Sequence, residues 1–368
     1  MLTIIKISVS FIFSLLLVLL LIHVSRKRSW YDKVDERKIH SGKVPRLGGI
    51  GFALSFIAVA GWIAAGAPEA YLGFRFIPPI AAMILILFFG AIDDFRPLAA
   101  RYKLLFQIMA ALCVIIPGYT FRRLFLFDIG PLGELNWIRY PLSFFWLVGL
   151  TNAVNFIDGV DGLAGGIAAM AALSYAAVFA SFHSAGSVTL LCICLAAALG
   201  GFLVFNLSFS GAKIFMGDGG SQFLGFTLAF LPMIDKGNAH SALPLAYSGA
   251  LLLIPVLDTL AAIIRRVRGG RRIDDPDRAH IHHKLMNLGM SPGGVCGILF
   301  ALQLALSLLV FFSVRGDGRK LSVVFLGTAY LLGLGFFITI HYMNRGAAVR
   351  EKFAKGSRNS LYSKELPP

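Results

Sequence analysis

Five aspartates lie in three short motifs of this 368-residue chain, each at the end of an apolar run. Asp93 and Asp94 are adjacent, Asp158 and Asp161 lie among glycines, and Asp218 stands between two glycines. Carboxylates at the ends of apolar helices are costly unless they are paired or bind cations. The pattern predicts one shared cation site, built from segments that are far apart in the chain.

Two of these motifs combine oxygen donors with glycines. In the segment 152–166, Asn155 and Asp158 are hard ligands, and the nearby glycines allow the backbone to approach a ligand closely. Asp218 precedes another apolar run, where the N–H groups of a helix start favour anions and the carboxylate can hold their metal. This composition suits Mg²⁺ with phosphate oxygens. Simple helix capping by these aspartates is the structural alternative.

Basic side chains accompany the carboxylates. Lys103 follows the Asp93-Asp94 pair closely, and a later loop contains Arg278, His282 and His283. Arginine and histidine at this density are typical donors to phosphate oxygens, whereas zinc is disfavoured because no cysteine accompanies the histidines. A loop that merely contacts anionic lipid is the alternative.

The elements that must position these residues are membrane helices. Hydrophobic residues make up 57% of the chain and charged residues 14%, with a mean hydropathy of +0.76, which excludes a water-soluble globular protein. We predict an all-α polytopic membrane protein with about eleven transmembrane helices, given spans of roughly 20 residues. The apolar runs cover 2–24, 47–66, 76–92, 104–118, 140–155, 163–182, 187–208, 220–234, 243–264, 294–313 and 321–342.

The basic residues predict the orientation. Most of the 34 Lys and Arg fall in alternate connections and in the C-terminal segment, so these face the cytoplasm and the N-terminus lies outside. In a membrane protein the net charge of +15 therefore reports topology rather than a nucleic-acid partner. We predict a single transmembrane domain over 1–343 and a basic cytoplasmic tail over 344–368. The predicted cytoplasmic active-site loops are 25–46, 93–103, 155–162, 209–219 and 265–293.

One further acid lies inside the ninth predicted span. Asp258 is a functional candidate because ionisable residues within membranes are expensive. Arg265 and Arg266 follow about two turns later, so a structural ion pair or a hydrogen bond between helices is an equally good interpretation.

Taken together and in order, the motifs resemble those of the polyprenyl-phosphate N-acetylhexosamine-1-phosphate transferase family. They are Lys38-x-His40 with Pro45 and Gly48-Gly49, Asp93-Asp94, the segment 152–166, Gly217-Asp218 with Ser221, and His280-Ile281-His282-His283. The resemblance implies transfer of a sugar phosphate from a cytoplasmic UDP-amino-sugar to a lipid phosphate, with release of UMP. It also implies a requirement for Mg²⁺, with Mn²⁺ as the alternative.

The resemblance assigns roles to eleven residues. Asp93 and Asp94 form the catalytic pair, with Asp93 as the base or orienting group, although the sequence does not separate that role from metal binding. The Mg²⁺ ligands are Asp218 and Asn155, with Asp158 close by. The substrate-binding residues are Lys103, His282, His283 and Arg278 at the diphosphate, and Phe215 and Asp161 at the uracil.

The last motif narrows the expected substrate. Ile281 interrupts the histidine run, as in transferases that make undecaprenyl-diphospho-N-acetylglucosamine for O-antigen, enterobacterial common antigen or teichoic acid linkage. The alternative within the family is phospho-N-acetylmuramoyl-pentapeptide transferase, which typically has three consecutive histidines here. A small-anion transporter is the alternative from another class, although no internal repeat is apparent.

The expected partners are undecaprenyl phosphate, a UDP-N-acetylhexosamine, the lipid bilayer and a second copy in a homodimer. The expected location is the bacterial inner membrane, with the active site facing the cytoplasm.

Overall fold

The computed structural model describes most of the chain. The described residues are 1–31, 44–66, 74–125, 127–129, 136–181, 186–207, 211–234, 243–272, 275, 277 and 279–362, with backbone alone at 74 and from 347 onward. This part of the chain is α-helical and contains no β-strand, only an isolated bridge between Arg123 and Asp128. The helices are α1 (Leu2–Arg28), α2 (Gly48–Ala65), α3 (Ile77–Phe95), α4 (Ala100–Ile115), α5 (Arg139–Ile157), α6 (Leu163–Ser181), α7 (Gly186–Asn206), α8 (Gly217–Phe230), α9 (Leu245–Leu251), α10 (Leu253–Arg268), α11 (Ile281–Asn287), α12 (Pro292–Arg315) and α13 (Arg319–Tyr362).

The predicted all-α membrane architecture is confirmed, because every predicted apolar run overlaps a helix. Among the described residues, 8 helices are long and apolar enough to cross a membrane, or 9 if α9 and α10 together form one bent span. The exact count of eleven and the direction of the termini stay predictions. Two of the runs form helices, α4 and α8, of only 16 and 14 residues, shorter than the roughly 20 residues that a straight span needs.

Helix α8 lies at the centre of the part of the molecule that holds the aspartate motifs. It packs against α2, α3 and α5, and every residue of α8 except Asp218 is buried. Glycines permit this approach, since a side chain at Gly90 or at Gly49 would overlap the α8 backbone at Gly219 or Gly220. Protein therefore surrounds this short helix, which can tolerate a polar start at membrane depth.

Two other helices bear on the predicted regions. Helices α9 and α10 meet at Leu252 with a bend of 85°. The predicted span over 243–264 is therefore broken into two helices. Helix α13 continues to Tyr362 and so passes through the predicted boundary at 343–344. The division into a domain and a tail remains a prediction.

Candidate active site

A lysine joins two of the predicted aspartates. The Lys103 ammonium, at the start of α4, pairs with Asp93 Oδ2 and lies 2.9 Å from Asp218 Oδ2. The other oxygen of Asp93 accepts a hydrogen bond from the Leu98 N–H at 2.6 Å. A cation between two carboxylates reduces their mutual repulsion, so both acids can remain close together.

The adjacent Asp94 has a different environment from that of Asp93. Its two carboxylate oxygens accept hydrogen bonds from the Asp218 N–H at 2.7 Å and from the Gly219 N–H at 3.0 Å. These are among the N–H groups that a helix start leaves without an intrahelical partner. Asp94 thus caps α8 and fixes the position of Asp218. The sequence grouped Asp94 with Asp93 as catalytic. Its contacts are those of a helix cap, and a catalytic role for Asp94 stays a prediction.

The segment before α2 is attached to the segment before α8. Phe215 N–H donates to the Pro45 carbonyl at 2.8 Å, and Gly48 N–H donates back to the Phe215 carbonyl at 2.9 Å. This pairing brings the Arg46 guanidinium within 3.5 Å of Asp218 Oδ1. Sequence reasoning treated the arginine only as an orientation signal and so missed this contact. The Gly48-Gly49 pair beside it was the available clue.

The segment 152–166 supplies the third part of the site. Asn155 lies near the end of α5, and its Oδ1 accepts a hydrogen bond from Ser221 Oγ at 2.6 Å. Ser221 lies one turn after Asp218 in α8. Burial raises the pKa of Asp158 to about 7, and the nearby Asp218 carboxylate adds to the shift. Asn155, Asp158 and Asp218 are therefore brought together as predicted. Asp161 lies further along, where its carboxylate accepts a hydrogen bond from the Ala212 N–H at 3.4 Å.

The histidine motif packs directly on this third part. The ring of His282 is 2% exposed and lies against the backbone of Gly159, and the His283 ring centroid is 4.3 Å away. Burial lowers the pKa of His282 to about 4, with a further contribution from His283. A histidine with this pKa is neutral at pH 7, and a neutral imidazole can still donate one hydrogen bond. The role of His282 at the diphosphate stays a prediction. Arg278 lies outside the described residues.

Asp258 has a hydrogen-bonded partner, as one of the two interpretations predicted, but the partner is in the histidine motif. Its Oδ2 lies 2.8 Å from His280 Nδ1, and its Oδ1 accepts a hydrogen bond from the Ile281 N–H at 2.8 Å. Arg265, one of the two arginines expected near Asp258, instead contacts Asp277 through two nitrogens at 3.1 and 2.6 Å.

A buried amide network beside the site was not predicted. Gln107 donates to the side chains of Asn152 at 3.3 Å and Gln222 at 3.0 Å, and Asn152 donates back to Gln107 at 2.7 Å. Gln222 and Lys103 both line a small cavity at the α3–α4–α8 junction. Amide side chains inside apolar runs were the sequence signal, because polar groups in membrane helices need internal partners.

Comparison with known proteins identifies the family of this chain. The model of glycosyl transferase family 4 matches residues 76–235, which contain Asp93, Asn155 and Asp218. A probable undecaprenyl-phosphate N-acetylglucosaminyl 1-phosphate transferase of Bacillus subtilis is 36% identical over 291 residues, 78% of this chain and 79% of the relative.

Two further relatives have corresponding names. An undecaprenyl-phosphate alpha-N-acetylglucosaminyl 1-phosphate transferase of Escherichia coli K12 is 29% identical over 288 residues, 76% of each chain. A decaprenyl-phosphate N-acetylglucosaminephosphotransferase of Mycobacterium tuberculosis H37Rv is 31% identical over 330 residues, 83% of this chain and 81% of the relative. With identity at this level over most of both chains, the protein belongs to glycosyl transferase family 4.

Proposed function

We propose that this protein transfers N-acetylglucosamine-1-phosphate from UDP-N-acetylglucosamine to undecaprenyl phosphate. The observation that carries the proposal is the cluster in which Lys103 lies between Asp93 and Asp218. Acidic and basic groups meet there at the ends of apolar helices, where a lipid phosphate and a soluble diphosphate could both reach them. The names of the relatives support the sugar and the lipid.

The reaction brings two anionic substrates together. A phosphate oxygen of the lipid attacks the sugar-bearing phosphorus of the UDP-sugar, a new P–O–P bond forms, and the bond to UMP breaks. The main barrier is electrostatic, and groups that are positioned in advance lower it. The lipid phosphate is already an oxyanion, so Asp93 needs only to orient it or to accept its remaining proton.

Cationic and hydrogen-bonding side chains would stabilise the diphosphate. Lys103 is the cation nearest to Asp93, and Arg46 adds a second positive charge beside Asp218. His282 and His283 would donate hydrogen bonds to the same diphosphate. Phe215 and Asp161 are proposed to contact the uracil, and Arg278 the diphosphate.

The oxygen donors near Asp218 fit Mg²⁺. The described residues contain no ready-made group of three or more His, Cys, Asp or Glu that could hold a metal by itself. Mg²⁺ in phosphoryl-transfer sites is usually bound by one or two carboxylates together with substrate phosphates and waters. Asp218, Asn155 and Asp158 would hold it, with Mn²⁺ as the alternative, and the bound ion would neutralise phosphate charge.

The membrane arrangement follows from the basic residues. We propose eleven spans in the bacterial inner membrane, with the N-terminus outside and the site facing the cytoplasm, the side assigned to most of the basic residues. The O-antigen, enterobacterial common antigen and teichoic acid pathways all start from this product. Homodimerisation is a further proposal.

The decisive experiment measures UMP release by the purified full-length protein. It is incubated with Mg²⁺, undecaprenyl phosphate and UDP-N-acetylglucosamine, UDP-N-acetylgalactosamine or UDP-N-acetylmuramoyl-pentapeptide. UMP release with UDP-N-acetylglucosamine supports the proposal. Release only with UDP-N-acetylmuramoyl-pentapeptide would support the peptidoglycan alternative. Absence of UMP release with every sugar nucleotide would refute transferase activity and favour the small-anion transporter alternative.

A matched pair of variants tests the site. Asp218→Asn should lower turnover by at least about a hundredfold, because it removes a charge that acts on the reacting groups. Asp317→Asn changes an exposed aspartate in the turn between α12 and α13 and should leave turnover unchanged. Equal turnover of both variants would contradict the assignment of Asp218.

A further inference from the structure

Asp258 is a buried carboxylate that the proposed chemistry does not use. It lies in α10, is 1% exposed, and has both oxygens engaged by the start of the histidine motif. A carboxylate buried without partners would be strongly unfavourable, so these two hydrogen bonds stabilise Asp258 in the folded protein. The contact therefore ties α10 firmly to the His280–Ile281 peptide.

The position of this tie determines where α11 starts. His280 is the residue before the helix and Ile281 is its first residue, so Oδ1 satisfies one of the N–H groups that the helix leaves open. Helix α11 has only 7 residues, and its direction depends on this first turn. His282 and His283 follow immediately, and the His282 ring meets the Gly159 backbone. A shift at Ile281 would therefore move both histidines relative to the segment 152–166.

A second contact from the same helix holds Asp277, which precedes the histidine motif. Arg265 lies seven residues after Asp258, two helical turns away and on the same side of α10. Its guanidinium binds the Asp277 carboxylate through two nitrogens at 3.1 and 2.6 Å. One side of α10 thus contacts both Asp277 and the start of α11.

The contact also reaches the segment 152–166 through an aromatic ring. The His280 ring centroid lies 5.6 Å from that of Phe156, and the Arg266 guanidinium lies 5.6 Å from the same ring. Phe156 directly follows Asn155, one of the proposed metal ligands. Movement of His280 would shift the Phe156 ring and so disturb Asn155. Asp258 is therefore linked both to the histidine motif and to the segment 152–166.

We infer that Asp258 is a positioning residue, which holds His280 and the start of α11 so that His282 and His283 are directed at the sugar-nucleotide diphosphate. The inference rests on the proposed transferase function. It separates the motif into two parts: His280 contacts the Asp258 carboxylate, and the next two histidines are assigned to the substrate.

The experiment compares variants at both ends of the contact in the UMP-release assay. Asp258→Asn and His280→Ala should each lower kcat/KM by about tenfold to a hundredfold, as expected for misplacement of groups on the order of 1 Å. The loss should arise largely as an increase in KM for UDP-N-acetylglucosamine, because binding contacts are weakened. His280→Asn should restore most of the activity, since its amide nitrogen is attached to Cγ like Nδ1 and can donate to Asp258.

The double variant Asp258→Asn with His280→Ala distinguishes one shared contact from two separate roles. A shared contact predicts that the double variant is no worse than the poorer single variant, whereas separate roles predict losses that multiply. Multiplying losses, an inactive His280→Asn, or a fully active Asp258→Asn would each overturn the inference while leaving wild-type activity intact. If Asp258→Asn does not insert, the two His280 variants still decide. A wild-type protein without UMP release would instead refute the proposed function itself.

Discussion

Replacing Gly159 with alanine should reduce turnover sharply while the protein still folds. A methyl group at Gly159 would overlap three atoms of the buried His282 ring. Its φ lies outside the left-handed region, so the backbone itself accepts alanine and the overlap is the main effect in the folded protein. Because carbon atoms pack at roughly 3.5–4.0 Å, the ring must retreat by about 1 Å. A displacement of that size at a binding group costs about a hundredfold in rate.

The cost in stability should be much smaller. Overpacking a buried side chain costs about 1–3 kcal/mol, and the lower flexibility of alanine in the unfolded chain offsets about 0.4–1 kcal/mol of it. Thermal unfolding in detergent should therefore remain cooperative, with a modestly lower midpoint. The assay is UMP release with UDP-N-acetylglucosamine at saturating undecaprenyl phosphate.

A matched glycine in the preceding helix provides the control. A side chain at Gly149, in α5, would meet no atom within 4 Å, so Gly149→Ala should keep wild-type activity. In a His282→Ala background, Gly159→Ala should cause no further loss, because the ring that it displaces is gone. Equal activity of the Gly159→Ala and Gly149→Ala proteins would refute the packing argument, and additional loss in the double variant would assign Gly159 a separate role.

Three other variants test the site. Asp94→Ala should lower both turnover and stability, the stability by about 1 kcal/mol, because the cap of α8 is lost. Parallel measurements of UMP release and thermal unfolding check this, and unchanged stability would contradict the cap. Lys103→Met should lower turnover by at least about a hundredfold, because a cation is removed from the reacting groups; an increase in UMP release would contradict that role. His282→Gln should lower turnover without changing the shape of the pH–rate profile between pH 6 and 8, since a group with a pKa of about 4 is already neutral there. Loss of an ionisation in that pH range would contradict this assignment.

The local sequence was sufficient for the helices and for most members of the site. Long apolar runs can be satisfied in a membrane only as helices, so each run predicts a helix regardless of its neighbours. The five aspartates were expected to meet because carboxylates at the ends of apolar helices need partners. The structure brings Asp93, Asp158 and Asp218 together.

Contacts between distant segments could not be predicted in the same way. Spacing along one helix predicts arginine partners for Asp258, but its partner is His280, 22 residues away. Arg46 is separated from Asp218 by 172 positions, and only the pairing of the segments before α2 and α8 places them together. Such contacts depend on how helices pack, which hydrophobic periodicity along one chain does not specify.

Close backbone approach is what allows this site to concentrate charge. Gly90 and Gly49 admit the start of α8 between α3 and α2, so that Asp218 is held close to Asp93. Two carboxylates in that position would repel each other, and the shared Lys103 ammonium offsets the repulsion before any substrate arrives. An incoming diphosphate with its cation would compete for the same charges. Under the proposed function, these ion pairs occupy the positions where substrate charge would later be balanced.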